Sequence, residues 1–70
     1  MKRKDYAKFI KIDRFSEDNV VTFEARCPED NCDFMADGVV HDLDEVGAER
    51  LAIGKVLKHV ERVHKFKFED

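Results

Sequence analysis

Two cysteines and two histidines carry the chemistry open to this chain. Cys27 and Cys32 flank Pro28-Glu29-Asp30-Asn31, and much later His59 and His64 also stand with four residues between them. Thiolate sulfur and neutral imidazole nitrogen are donors of a tetrahedral zinc site, and both spacings suit a structural one, in which protein fills all four positions. The chain has two cysteines in all, so none is left over. A small Cys27–Cys32 disulfide loop and two unrelated free thiols are the competing readings. The expectation is one structural Zn2+ held by Cys27, Cys32, His59 and His64.

Bringing these pairs together is the task of the elements around them, and 70 residues allow only one thin core. A single domain over residues 1–70 is expected, with residues 1–5 as a flexible basic tail and residues 20–65 as its finger-like core. Bound zinc contributes on the order of 10 to 16 kcal/mol of folding free energy in small finger peptides, more than a core of this size nets. Lys2-Arg3-Lys4 is followed by no apolar run, and no segment approaches membrane-spanning length. A cytoplasmic location follows as the expectation, and its reducing conditions favour thiolates on metal over a disulfide.

Sixteen acidic residues against 13 basic ones leave a formal net charge of −3, which weakens the case for wholesale phosphate binding. The distribution is lopsided. Every charged residue from Glu29 to Glu49 is acidic, whereas residues 2–14 and 50–67 are mostly basic.

Along the chain, Tyr6 to Arg14 reads as a first strand closed by a turn at Ser16-Glu17-Asp18-Asn19. Val20 to Cys27 alternates, with Val21, Phe23, Ala25 and Cys27 on one face and Val20, Thr22, Glu24 and Arg26 on the other. A third strand starts at Asp33-Phe34, and Asp37-Gly38 is a tight turn or a bulge before Val39-Val40-His41. Asp42 or Asp44 can cap a helix running to about Lys65, whose stripe of Val46, Ile53, Val56, Leu57, Val60 and Val63 would lie on the sheet. At about 1.5 Å per residue such a helix carries the histidines to the cysteine knuckle. The fold class is therefore α+β, a three-stranded antiparallel sheet followed by one long C-terminal helix.

Strand, cysteine pair, strand with an early Phe34, then a helix bearing His59 and His64 resembles a two-Cys, two-His zinc finger over about residues 20–65. The interval from Cys32 to His59 is about twice that of the eukaryotic pattern. The segment Cys32-Asp33-Phe34-Met35-Ala36-Asp37-Gly38 with His59-x-x-x-x-His64 is more similar to small zinc-finger-like proteins of bacteria, archaea and their phages, many of them without assigned function. The resemblance implies a metal-stapled fold and, more weakly, a nucleic-acid partner, with Lys55 and Lys58 at positions like those that read bases.

Four protein ligands close the shell that a catalytic zinc would leave open, and no nucleophile–base pair, phosphate-cradling loop or carboxylate dyad is apparent, so the protein is expected to bind rather than catalyse. His41, a third imidazole, is a substitute ligand, a base, or an exposed strand-end residue. Lys55, Lys58, Arg62 and Lys65 fall together on a helical wheel, a face that could take up nucleic acid with help from Lys2, Arg3 and Lys4. Bases at a helix C-terminus also complement its dipole, and a basic N-terminus is often only a solvated tail. Leu51 on the same outward face, with Phe66 and Phe68 beyond the helix, could instead contact a protein; the two Phe side chains could equally fold back onto the core. The leading expectation is a monomeric, zinc-stapled nucleic-acid-binding or regulatory module without membrane or small-molecule partner. The alternative is a protein-interaction module using the acidic 29–49 stretch and these apolar residues.

Overall fold

The second strand buries Val21, Phe23 and Ala25 in alternation and pairs on both edges, which makes it the spine of the molecule. The computed structural model describes residues 1–40 and 44–69. Their elements are a helical turn α1 (Arg3–Tyr6) continued by a 3-10 turn (Ala7–Phe9), strands β1 (Lys11–Glu17), β2 (Val20–Arg26) and β3 (Met35–Val40), and a long helix α2 (Glu45–Val63). The strands form an antiparallel sheet in chain order, with α2 across one face, which is the expected α+β architecture. His41 and Asp42 lie outside the described residues.

The N-terminus departs from expectation. Tyr6 and Ile10 are both buried, and their spacing of four winds the chain helically where a strand was expected from Tyr6. The strand starts at Lys11 and runs on through Ser16 and Glu17, leaving a two-residue turn. Asp18 (φ 50°) and Asn19 (φ 63°) supply the two positive φ values of a type I′ hairpin.

Asp37-Gly38 is neither turn nor bulge, since β3 pairs without interruption from Met35 to Val40. Gly38 serves close approach instead. A Cβ there would overlap the Ala48 carbonyl oxygen and lie 3.0 Å from the Ala52 nitrogen. The buried stripe of α2 is accordingly Ala48, Ala52, Val56 and Val60. Ile53 and Leu57 flank it half-buried, whereas Val46 and Val63, expected inside, are each 61% exposed.

Asp44 caps α2 by accepting the Gly47 N–H at 3.1 Å, and Arg14 of β1 pairs with Glu45 in its first turn. The helix ends at Val63, short of Lys65. Lys65 takes a left-handed conformation (φ 57°), which turns the Phe66 N–H back to the Val60 carbonyl at 3.3 Å. Phe66 and Phe68 then pack on Tyr6, with ring centroids 5.2 and 5.4 Å away. Among the described residues no helix is long and apolar enough to cross a membrane.

Candidate metal centre

Cys27 leaves the end of β2, its N–H bonded to the Phe34 carbonyl at 3.0 Å, so the knuckle opens directly from the sheet ladder. The turn is closed by the Cys32 N–H on the Glu29 carbonyl at 3.3 Å, with Asn31 left-handed at φ 61°. This places both sulfurs under the last turns of α2. His59 stands inside the helix and His64 at its C-cap, so both rings are aimed at the knuckle.

Cys32 Sγ lies 3.2 Å from His59 Nε2 and Cys27 Sγ lies 3.5 Å from His64 Nε2, and all four donor atoms fall within 4.8 Å of one another. A tetrahedral zinc with Zn–S near 2.3 Å and Zn–N near 2.05 Å sets its S···N edges at about 3.5 Å. The four residues therefore fit one metal ion. Both cysteines are free thiols, which removes the disulfide reading.

The surroundings prepare these donors. Burial, with the neighbouring His64 adding to it, pulls the His59 pKa below its ordinary 6.5, favouring the neutral ring that can ligate. Burial likewise pushes the Cys27 thiol up, so a metal must displace its proton. Phe34 stacks flat on His59, and the Tyr6 hydroxyl donates to Glu29 Oε2 at 2.9 Å, pinning α1 to the knuckle. Burial and that bond hold the Tyr6 hydroxyl protonated far above the ordinary range. Tyr6 was not among the expected site residues; its spacing from Ile10 was the available signal.

The proposed binding residues are scattered. Lys55 donates to the Asp37 carbonyl at 2.7 Å and lies 3.8 Å from its carboxylate, so it covers an outward carbonyl on the edge of β3. Lys58 and Arg62 line an open cleft of about 460 Å³ with Lys55, Phe34, His59 and Val63. Lys65 sits past the helix end, so the four do not form one stripe. Lys2 and Lys4 are exposed, whereas Arg3 belongs to α1, pairs with Glu61 and lies 5.3 Å from the centre of the Phe68 ring. Leu51 is 48% exposed, and Phe66 and Phe68 are half-buried against Tyr6. Comparison with protein-family models, curated proteins and solved structures finds no match, which leaves the four-donor geometry as the ground for a functional reading.

Proposed function

We propose that the chain is a non-enzymatic, zinc-stapled module that binds nucleic acid through the flank of α2 next to the metal. Zinc suits two thiolates and two imidazoles at tetrahedral spacing, and four protein donors leave no position for a reacting water. The observation that carries the nucleic-acid reading is the cleft beside the Phe34–His59 stack. Among the described residues Lys58 and Arg62 form no ion pair, so both cations are available to phosphate. The protein-interaction alternative has less support, because much of the acidic stretch is engaged internally: Glu29 by Tyr6, Asp37 by Lys55, Asp44 at the helix cap and Glu45 by Arg14.

Anisotropy titrations of metal-loaded protein against duplex DNA and structured RNA over a salt series test this reading. Affinity should fall steeply with salt, and Lys58→Glu or Arg62→Glu should each weaken binding about tenfold or more and flatten the log–log slope by about one, with zinc content unchanged. No binding at about 50 mM salt, or indifference to both reversals, would refute it.

A further inference from the structure

The sheet has a second face, and its register orders that face into rows. Residues directly opposite one another on paired strands point to the same side. Away from α2 the sheet therefore presents Phe15, Thr22 and Val39 in one row, Asp13, Glu24 and Asp37 in the next, and Lys11, Arg26 and Met35 in a third. Phe15, Val39 and Met35 are 51%, 43% and 49% exposed. The solvated face of an antiparallel sheet is commonly polar, and here three large apolar side chains share it with the charges. Three carboxylates abreast also repel one another, and among the described residues only Asp37 of the three has a cation partner, Lys55. Among the described residues Lys11 and Arg26 form no ion pair either. Beyond the basic row lies a groove of about 850 Å³, lined in part by Pro28, Phe34, Met35 and Phe9, which is itself 62% exposed.

We infer that this face is a self-complementary docking surface for a second copy of the chain. Successive rows are about 7 Å apart along the strands. A two-fold axis lying between two facing sheets, across the strands and midway between the acidic and basic rows, sets the acidic row of each copy on the basic row of the other. Lys11 then meets Asp13 of the second copy and Arg26 meets Glu24, each pair occurring twice by symmetry. The same axis carries Phe15, one row beyond the acids, over the groove beside Phe9 and Met35 of the second copy. An axis along the strands would set acids on acids, so the charge pattern selects the first arrangement.

Three strands about 4.8 Å apart and seven residues of about 3.3 Å each give a face of roughly 15 by 23 Å. That is roughly 350 Å² per copy from the sheet alone, and with the groove included the contact falls at the low end of specific interfaces. Phe34 lines both clefts, whereas Lys58 and Arg62 line only the one beside His59, so reversing their charges separates nucleic-acid binding from self-association.

Sedimentation equilibrium of the metal-loaded protein up to about 1 mM tests it. A salt-sensitive monomer–dimer equilibrium is expected, with Phe15→Asp raising Kd about 100-fold or more while circular dichroism and metal content stay unchanged. Arg26→Glu and Glu24→Arg should each abolish self-association alone, and mixing the two variants in equal amounts should restore a dimer, since each then presents two like charges to two of opposite sign. A wild-type protein that stays monomeric throughout, or a dimer indifferent to Phe15→Asp without recovery on mixing, would overturn the inference.

Discussion

Phe34 lies flat on His59, with ring centroids 3.9 Å apart and planes within 4° of parallel. Because Phe34 also accepts the Cys27 N–H through its carbonyl, one residue touches a candidate donor from each of the two pairs. Phe34→Ala should leave all four ligands in place yet lower metal affinity about tenfold, since groups packed around ligands set their orientation. Competition with a chromophoric chelator measures this, and unchanged affinity would show that the stack plays no part in positioning His59.

Removing a ligand should do more. Cys27→Ser, Cys32→Ser, His59→Ala and His64→Ala are each expected, on the proposed zinc-stapled reading, to lower metal stoichiometry and melting temperature together, because a bound metal can supply much of the folding free energy of so small a domain. His41→Ala should change neither. Metal analysis alongside thermal melts of all five variants decides the assignment, which fails if His64→Ala keeps its zinc while His41→Ala loses it.

Two glycines should respond with opposite sign. Gly38→Ala forces a methyl into the Ala48 carbonyl, where backbone on both sides cannot give way, and should destabilise the protein by about 1–3 kcal/mol. Gly54 has nothing within 4 Å of an added Cβ, so Gly54→Ala should stabilise α2 by up to about 1 kcal/mol. Denaturant melts of the two variants against the parent provide the comparison; equal effects would mean that α2 does not approach β3 this closely.

Metal binding should release protons near pH 7, that of Cys27 among them, as isothermal calorimetry in buffers of different ionisation enthalpy would show. His59 adds none there, because burial holds it below 6.5 and already neutral. Cys27 must give one up, since burial raises its thiol above the ordinary 9.0. The unfolded chain thus binds more protons than the loaded fold, so stability rises with pH and is lost as pH falls. Proton release near zero at pH 7 would exclude thiolate ligation.

Lys65 pays for the helix stop with a left-handed backbone, so Lys65→Gly should raise stability by about 0.5–1 kcal/mol without altering metal affinity. Thermal melts of the metal-loaded forms check this, and a loss of stability would mean that the lysine side chain contributes contacts of its own.

The candidate donor cluster and the fold class were legible in the sequence because both rest on local spacing. Two Cys and two His at short intervals name their donors, and alternation from Val21 to Cys27 marks a strand whichever partner it finds. A cap at Asp42 or Asp44 was legible for the same reason, and the structure shows Asp44 in that role, its acceptor reaching only as far as Gly47. What the tertiary structure decided depends on distances between segments remote in the chain. The side of α2 that is buried is the one that meets β3 at Gly38, where Ala48 and Ala52 fit against the strand and Val56 and Val60 continue the same face, while Val46 and Val63 stay outside. Tyr6 could not be placed from its neighbours, because the Phe66, Phe68 and Glu29 groups that bury and bond it come from the opposite end and the knuckle. Lys55 reads as one of a basic stripe until β3 is laid beside it, when its charge is seen to cover a strand edge. The rows of the open sheet face exist only once three strands are in register, since each row joins residues that the sequence keeps apart.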